Sequence, residues 1–274
     1  MSNKERLDVL LVQRGLLETR EKAKRAILAG LVYSGTERLD KPGMKVPLDT
    51  PLIVKGEAIP YVSRGGLKLE KAIKVFQISM KDKVVLDIGA STGGFTDCAL
   101  QHGAKLVYAL DVGYNQLAWK LRQDKRVHVM ERTNFRYVTK ENFLYGLPDI
   151  ATIDVSFISL KLILPVLKPI LKKDGDCIAL IKPQFEAGRE EVGKKGIVRD
   201  KSVHEEVIEQ ISLFALSEGY EVKGIDFSPI KGGEGNIEFL IHLINNDRQK
   251  CLPNLSERIK IVVQQAHENA HSAV

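Results

Sequence analysis

Residues Val84 to Leu100 read VVLDIGASTGGFTDCAL, and this stretch decides the fold. It begins with an apolar run that contains one acid, Asp87, continues through a turn rich in glycine, and ends in apolar residues at helical spacing. The pattern predicts a buried strand, a tight turn and the start of a helix. Because glycine has no Cβ atom, the backbone of such a turn can approach a ligand closely.

A second apolar run, Leu106 to Leu110, ends at the acid Asp111. A strand, a glycine-rich turn, a helix and a strand that ends in an acid ~20 residues further on form the dinucleotide-fold arrangement, in which the acid binds a ribose. The turn, Gly89-Ala-Ser-Thr-Gly93-Gly94, lacks the G-x-G-x-x-G spacing that seats a pyrophosphate. With Asp87 just before it, the turn suits a ligand with positive charge and hydroxyl groups, such as S-adenosylmethionine.

The sequence D-I-G-A-S-T-G-G-F-T resembles motif I of the class I methyltransferases, and a glycine turn in an ordinary α/β domain is the alternative. We expect Gly89, Ser91 and Gly93 to line the methionine part of the donor. Asp111 should bind its ribose, Asn134 should contact its adenine edge, and Asp87 could contact its amino group. For Asn134, a turn-forming role is an equally good interpretation. The predicted cofactor site comprises Asp87, Gly89, Ser91, Gly93, Asp111 and Asn134.

Length and composition limit the class of protein. A chain of 274 residues with 44% hydrophobic content can hold one large domain and a small one. It has no apolar run of ~18 residues and no signal-peptide pattern, so we expect a cytoplasmic protein without a membrane-spanning helix. The three cysteines are far apart and form no C-x-x-C pair, which argues against zinc and a disulfide framework. The net charge of +6 favours a polyanionic partner, although basic balance alone is a weak signal.

Downstream of Lys83, apolar strand patterns alternate with helical ones. A parallel sheet that ends in an antiparallel hairpin is a known mixed arrangement, and class I methyltransferases end this way whereas NAD-binding folds do not. We therefore predict an α/β fold of the class I S-adenosylmethionine-dependent methyltransferases, with a Rossmann-like, seven-stranded mixed sheet. The predicted strands are 84–89, 106–111, 127–131, 149–154, 176–182, 221–225 and 237–243, and the predicted helices include 203–219 and 255–270.

The N-terminal region has a different pattern, with helices predicted at 4–15 and 19–30 and short strands after them. The order R-L-D-x-x-L-V-x-R-G, T-R-x-x-A and I-x-x-G-x-V resembles the S4 RNA-binding domain, a small α+β fold. We predict an S4-like RNA-binding domain at 1–58, a linker at 59–63 and an RrmJ-like methyltransferase domain at 64–274.

Basic residues cluster at the start of the second predicted helix. An isolated cluster is more often a solvated helix face, but the S4 resemblance implies that these residues bind RNA phosphates, which adds affinity rather than sequence choice. The predicted RNA-binding residues are Arg6, Arg20, Lys22, Lys24, Arg25 and Arg64.

Four residues decide which atom receives the methyl group: Lys68, Asp154, Lys182 and Glu238. Asp154 and Lys182 end two predicted strands, and strand ends of an open α/β sheet point into one crevice, so these two should converge. Each of the four alone is better explained as part of a surface salt bridge, but together they indicate a catalytic site. The segment after Asp154 is Val-Ser-Phe, not the Pro-Pro-aromatic segment of amino-group methyltransferases, and no cysteine is available as a nucleophile for carbon methylation.

This set resembles the RrmJ-like ribose 2′-O-methyltransferases. Together with the S4 pattern and the motifs S-R-G-G-x-K-L, D-V-G-Y-x-Q-L-A-W, E-R-T-N, S-F-I-S-L and K-P-Q-F-E, it identifies the chain as a member of the TlyA family. That family has been called haemolysin and is also known as an rRNA cytidine 2′-O-methyltransferase. The resemblance implies rRNA in ribosomal subunits as the partner, S-adenosylmethionine as the methyl donor, and no membrane.

A ribose 2′-hydroxyl is a weak acid, so its attack on a methyl group needs a base. A lysine can serve if burial or a second cation lowers its pKa. We expect Lys182 to be that base and Lys68 the second cation, with Asp154 and Glu238 orienting both ammonium groups. The sulfonium makes the donor reactive by itself, so we expect no metal ion.

Residues 186–200, EAGREEVGKKGIVRD, are charged and lack apolar periodicity. We expect a mobile loop that closes over RNA, and a plain exposed loop is the alternative. Two other functions compete with methylation: a membrane-acting haemolysin, and an S4-type RNA-binding protein with an inactive catalytic domain. The absence of a long apolar or amphipathic span opposes pore formation, and the presence of all four catalytic candidates opposes the inactive domain.

Overall fold

The computed structural model describes residues 4–55, 59–232, 235–248 and 250–272. The chain divides into two compact units, Met1–Arg64 and Gly65–Val274. None of the helices in these described ranges is long and apolar enough to cross a membrane.

The N-terminal unit packs two helices against short strands. Strand β1 pairs with β4 in the antiparallel direction, and β2 lies between β3 and β5 in a second small sheet. Its core consists of apolar side chains from both helices and from the strands, among them Leu7, Leu11, Ile27 and Val32. The elements are β1 (Lys4–Arg6), α1 (Leu7–Gln13), α2 (Arg20–Leu28), β2 (Val32–Ser34), β3 (Glu37–Arg38), β4 (Lys45–Pro47) and β5 (Ile53–Val54).

The first helix begins later than the sequence pattern predicted. Residues Lys4–Arg6 form a strand that pairs with Lys45–Pro47, and helix α1 starts at Leu7. Backbone hydrogen bonds to a distant segment therefore outweigh the local helical pattern, as tertiary context often does. The second helix starts as predicted, because the Thr19 side chain accepts a hydrogen bond from the backbone N–H of Lys22 (3.2 Å).

The C-terminal unit is built around one large sheet. Its elements are α3 (Gly65–Phe76), β6 (Val84–Ile88), α4 (Gly94–Gln101), β7 (Leu106–Leu110), α5 (Trp119–Arg122), β8 (Val127–Met130), β9 (Ile150–Ile153), α6 (Leu164–Leu167), β10 (Asp176–Ile181), α7 (Pro183–Glu186), α8 (Lys201–Ser217), β11 (Tyr220–Phe227), β12 (Phe239–Asn245) and α9 (Leu255–Ser272). Short 3₁₀ turns lie at Phe135–Tyr137, Lys140–Asn142, Leu160–Leu162 and Lys194–Gly196.

The strand order in this sheet is β11-β12-β10-β9-β6-β7-β8. Strands β8, β7, β6, β9 and β10 are parallel, and β12 is antiparallel to both of its neighbours. The predicted seven-stranded mixed sheet and the α/β fold class are therefore confirmed. The central strand β6 is buried along its whole length, which explains its nearly continuous apolar run.

The strand order also locates the site. From β6 the chain builds outward through β7 and β8, and it then returns to add β9 on the other side of β6. Such a reversal opens a crevice at the carboxyl ends of the two central strands. The glycine-rich turn follows β6 and Asp154 follows β9, so both lie at this point.

Candidate active site

Four charged side chains meet at the ends of different elements. Lys68 belongs to α3, Asp154 follows β9, Lys182 follows β10 and Glu238 precedes β12. The Nζ atom of Lys68 lies 2.6 Å from Oε2 of Glu238 and 3.3 Å from Oδ2 of Asp154. The Nζ atom of Lys182 lies 2.6 Å from Oδ1 of Asp154. Asp154 therefore bridges two ammonium groups, and the four residues form one ionic cluster.

The cluster is largely removed from water, since Glu238 is 2% exposed, Lys68 7% and Lys182 8%. Burial alone would lower the pKa of Lys68, but the charges of Asp154 and Glu238 outweigh it and hold that pKa above its usual value. Burial would likewise raise the pKa of Asp154, and the two lysines outweigh it and hold that pKa below its usual value. Lys68 and Asp154 thus remain charged at neutral pH.

The two lysines differ in their partners. Lys68 contacts two carboxylates, whereas Lys182 contacts Asp154 and donates a hydrogen bond to the hydroxyl of Ser156 (3.1 Å). A hydroxyl carries no charge, so among the described residues Lys182 is the lysine of the cluster with a single carboxylate partner. Lys68 therefore has more negative charge beside its Nζ atom than Lys182 has.

Glu238 is held by the loop that precedes it. A Cβ atom at Gly232 would overlap the Glu238 carboxylate, so the backbone at Gly232 lies directly against that side chain. The N–H of Gly232 in turn donates to the carbonyl oxygen of Asn236 (2.9 Å). The Asn236 side chain accepts from the N–H of Val198 (3.1 Å) and donates to the carbonyl of Gly196 (2.9 Å). These bonds join the 193–198 loop to the segment that carries Glu238.

The glycine-rich turn is packed against the backbone of Asp154. The N–H of Asp154 donates to the carbonyl of Ile88 (3.0 Å). Gly89 follows at φ +88°, and a Cβ atom there would lie 2.5 Å from the carbonyl oxygen of Asp154. Only glycine tolerates both the left-handed backbone and this close approach. The predicted donor turn and the ionic cluster are therefore adjacent.

Asp111 organises the other side of the turn. Its Oδ2 accepts the N–H of Ser91 (2.7 Å) and its Oδ1 accepts the N–H of Gly113 (2.7 Å). Each carboxylate oxygen retains a further lone pair, and the side chain is half-buried. Asp111 can thus hold the turn and still accept hydroxyl groups of a ligand.

The other predicted cofactor residues have partners within the protein. Asp87 is 1% exposed and accepts hydrogen bonds from the hydroxyls of Thr96 (2.7 Å) and Thr152 (3.1 Å). Burial raises the pKa of Asp87 to about 7. Gly93 is buried at the start of α4, and the Asn134 side chain accepts the N–H of Arg136 (3.1 Å), as the turn-forming interpretation expects. Their contacts with a methyl donor stay predictions.

The predicted RNA-binding residues of the N-terminal unit differ in their surroundings. Arg6 and Arg20 both bond to the buried Asp8, and Lys22 pairs with Glu18. Of the remaining three residues, Lys24 is exposed and Arg25 and Arg64 are half-buried.

Two aromatic residues beside the cluster were missed by the sequence reasoning. Phe157 is 91% exposed and has φ +62°, a backbone conformation that costs a bulky residue energy. Its ring centroid lies 5.0 Å from that of the half-buried Phe185. Both residues stood in quoted motifs, three positions after Asp154 and three after Lys182, which was the available signal.

The 186–200 segment has fixed attachments at both ends. Glu186 accepts hydrogen bonds from the Ser159 hydroxyl (2.5 Å) and the Leu160 N–H (2.8 Å), and burial raises its pKa. Near the other end, Val198 is bonded to Asn236. Closure of this loop over RNA stays a prediction. Within the described part of the chain, no group of three or more His, Cys, Asp or Glu side chains could hold a metal ion.

Two family models match the chain: the FtsJ-like methyltransferase over residues 61–245 and the S4 domain over residues 5–50. The chain belongs to the FtsJ-like methyltransferase family. The predicted combination of an S4 domain with an RrmJ-like methyltransferase, as in the TlyA family, is confirmed by these matches and by the relatives of this FtsJ-like protein.

YqxC of Bacillus subtilis (strain 168), whose name describes an rRNA methyltransferase, is 66% identical over 268 residues, which cover 97% of this chain and 95% of that protein. The 16S/23S rRNA (cytidine-2′-O)-methyltransferase TlyA of Mycobacterium tuberculosis (strain CDC 1551 / Oshkosh) is 40% identical over 261 residues, or 94% and 97% of the two chains. A solved structure from Streptococcus thermophilus, described as a hemolysin, has a TM-score of 0.80 and 57% identity and covers 100% of this chain and 99% of its own.

Proposed function

We propose that this FtsJ-like methyltransferase transfers a methyl group from S-adenosylmethionine to a ribose 2′-hydroxyl of rRNA, with cytidine as the target nucleoside. The observation that carries the proposal is the buried Lys68–Asp154–Lys182–Glu238 cluster beside the glycine-rich turn. The names of YqxC and TlyA support rRNA as the substrate, and the name of TlyA supports cytidine and the 2′-oxygen. An rRNA substrate implies action in the cytoplasm.

The residues around the turn fit the methyl donor. Asp111 keeps lone pairs for the ribose hydroxyls, and Gly89 lets the turn lie directly against the backbone of Asp154, next to the ionic cluster. Ser91 is exposed at the tip of the turn, where it can face the methionine part. When bound, S-adenosylmethionine supplies a methyl group activated by its sulfonium.

The lysines provide the proton chemistry. Lys182, in its neutral form, accepts the proton of the 2′-hydroxyl on Nζ, which leaves the ribose oxygen able to attack. Lys68 stays protonated between Asp154 and Glu238 and stabilises the negative charge that develops on that oxygen. Asp154 orients both lysine side chains. A positioned base such as Lys182 contributes about 10²–10⁴-fold to a rate.

The exposed Phe157 and the half-buried Phe185 beside it support a nucleotide substrate. Phe157 projects into solvent. It follows Val155 and Ser156 in the chain, and the Ser156 hydroxyl accepts a hydrogen bond from Lys182. A nucleobase stacked on an aromatic ring gains roughly 1–3 kcal/mol. Phe157 and Phe185 thus offer a surface on which the target base can rest while its ribose faces Lys182.

The proposal is tested by incubating the purified full chain with ribosomal subunits that lack 2′-O-methylcytidine and with tritiated S-adenosylmethionine. Digestion of the rRNA and mass spectrometry should show label in 2′-O-methylcytidine with the wild type and not with Lys182→Ala. Label on a base would overturn the ribose assignment. If neither ribosomal subunit is labelled, rRNA is overturned as the substrate. Lysis of erythrocytes by the same sample would then favour the haemolysin function.

A further inference from the structure

One carboxylate in the N-terminal unit holds two arginines. Asp8, in the first turn of α1, is 0% exposed. Arg6, at the end of β1, donates to it from Nε (2.9 Å) and from a terminal nitrogen (3.2 Å). Arg20, at the start of α2, donates from a terminal nitrogen (3.0 Å). The side chain of Asp8 therefore joins three elements through charge-assisted hydrogen bonds.

Both guanidinium groups are hydrogen-bonded to Asp8 and remain accessible to solvent. The Arg6 side chain is 43% exposed and the Arg20 side chain 55%, although both bond to a fully buried acid. A guanidinium carries five N–H donors, so each group keeps donors that Asp8 does not use. Two positive charges on one negative charge leave the trio with a net positive charge of one. The arginine hydrogen bonds, aided by their charges and opposed by burial, hold the pKa of Asp8 at about 2, so it stays ionised in the cell.

We propose that Asp8 is a positioning residue, which orients Arg6 and Arg20 so that the two guanidinium groups form a clamp for RNA backbone phosphate. The proposal rests on RNA as the substrate. Planar guanidinium groups match phosphate oxygens in two-point contacts, which a lysine cannot reproduce. Because Asp8 fixes the orientation of both groups in advance, less side-chain entropy is lost when phosphate binds.

The sign of one substitution separates this clamp from plain charge attraction. Asp8→Asn removes a buried negative charge that lies directly beneath the two exposed guanidinium groups. If the arginines acted only through net charge, that variant would bind RNA more tightly, because more positive charge favours a polyanion. If Asp8 positions the arginines, the variant binds RNA more weakly in spite of its added positive charge.

The experiment measures the affinity of the full chain for an rRNA transcript by filter binding at several salt concentrations. We expect Asp8→Asn to weaken binding by about tenfold and to lower the slope of log affinity against log salt by about one to two units. The control is Asp49→Asn, which makes the same charge change at an exposed aspartate of the same unit and should bind unchanged or slightly tighter. Affinity for S-adenosylmethionine, measured by calorimetry, should not change in either variant.

A wild-type or tighter affinity of Asp8→Asn would overturn the clamp. If circular dichroism shows that Asp8→Asn unfolds the N-terminal unit, the Arg6→Lys plus Arg20→Lys variant decides instead. This double variant keeps both positive charges on exposed side chains. A loss of RNA affinity of about threefold or more therefore supports two-point contacts, and an unchanged affinity overturns them. RNA binding that depends on Asp8 in a protein that methylates no subunit would keep the clamp and overturn the proposed methylation. A wild type without affinity for the transcript would overturn the clamp, even if subunits are methylated.

Discussion

Each unit of the molecule contains an aspartate that bridges two cations, but the cations differ. In the N-terminal unit Asp8 bridges Arg6 and Arg20, and in the C-terminal unit Asp154 bridges Lys68 and Lys182. The arginine side chains are about half exposed, whereas the lysine side chains are 9% exposed.

The difference follows from the chemistry of the two side chains. A guanidinium does not lose its proton in proteins, so an exposed pair with excess positive charge suits the binding of phosphate. An ammonium can lose its proton, and a closed site whose second acid, Glu238, balances the charge suits proton transfer. The exposed arginine cluster thus suits the proposed binding of phosphate, and the buried ionic cluster suits the proposed proton transfer.

The strongest test of this comparison places a guanidinium group in the buried ionic cluster. Lys182→Ala should lower methyl transfer by ~10²-fold or more while donor and RNA binding remain. Lys182→Arg should not restore activity, because it keeps the charge but cannot accept a proton. The measurement is single-turnover methyl transfer on ribosomal subunits.

Lys168→Ala is the matched control, since Lys168 bonds Gly219 and Asp247 outside the cluster and its loss should leave the rate near wild type. Substantial activity of Lys182→Arg would contradict the role of base and leave Lys182 as a stabiliser of charge.

A carboxylate that meets neutral partners extends the comparison to the donor site. Asp111 accepts two backbone N–H groups and, in the proposed complex, two ribose hydroxyls. Asp111→Ala should reduce the affinity for S-adenosylmethionine by about 2–3 kcal/mol, because hydrogen bonds to a charged group are the strong ones. Calorimetry measures this, with Asp247→Ala as the control. Wild-type affinity of Asp111→Ala would show that the donor binds elsewhere.

Asp87 extends the comparison to a buried aspartate that is bonded to hydroxyl groups instead of to cations. Its partners are threonine hydroxyls, and burial raises its pKa from 3.8 to about 7, while arginine hydrogen bonds lower that of Asp8 to about 2. A carboxyl whose pKa is higher in the folded state stabilises the fold most below about pH 4, and this stabilisation is lost as the pH rises towards 7. Asp8 acts in the opposite sense, because its stabilisation is present above about pH 4 and is lost as the pH falls towards 2.

Urea unfolding should therefore show stability falling between about pH 4 and 7, by at most about 1.4 kcal/mol per pH unit from this group. Asp87→Asn cannot ionise and should flatten that decline. An identical pH profile in the wild type and in Asp87→Asn would mean that Asp87 is ionised in the folded protein.

Charge balance in the lysine cluster depends on the position of Glu238. The Cβ of Gly232→Ala would overlap the Glu238 carboxylate and push it away from Lys68. We expect methyl transfer to fall by about tenfold, the cost of a misplaced partner near the reacting groups, with donor affinity unchanged. If rate and donor affinity fall together, the loop supports the whole crevice rather than Glu238 alone.

The smallest effect should come from Lys24, which has no aspartate partner among the residues that the structure describes. Lys24 is exposed on α2, and Lys24→Ala should remove one phosphate contact and lower the salt slope of RNA binding by about one unit. We expect the lost contact to make the affinity of the variant for RNA about threefold lower than that of the wild type at low to moderate salt. Filter binding of this variant and of Asp8→Asn compares an exposed lysine with the proposed arginine clamp. A larger effect for Lys24 than for Asp8 would reverse the proposed ranking.

Much of the fold could be predicted from local pattern. The apolar runs around Asp87 and before Asp111 indicated adjacent parallel strands, and β6 and β7 pair in parallel from Val84 with Leu106 onward. Buried parallel strands need continuous apolar residues, so their positions can be predicted from short segments of sequence. The cap at Thr19 was equally local, because the residue bonds a backbone group three positions later.

The partners of each charge were decided by the tertiary structure. Strand-end logic brought Asp154 and Lys182 to one crevice, but it did not show that Asp154 also meets Lys68 or that Gly232 lies against Glu238. The sequence likewise marked Arg6 and Arg20 as cations for RNA without indicating that one buried acid orients both.

Sequence by itself therefore determined the order of strands and helices in the large sheet, the glycine turn and the inventory of charged groups. The tertiary structure decided that Lys4–Arg6 form a strand, how exposed Phe157 is, and which acid pairs with which base. The physical reason is range. Apolar periodicity and capping act over a few residues, whereas ion pairs such as Lys68 with Glu238 join segments that only the packed sheet brings together.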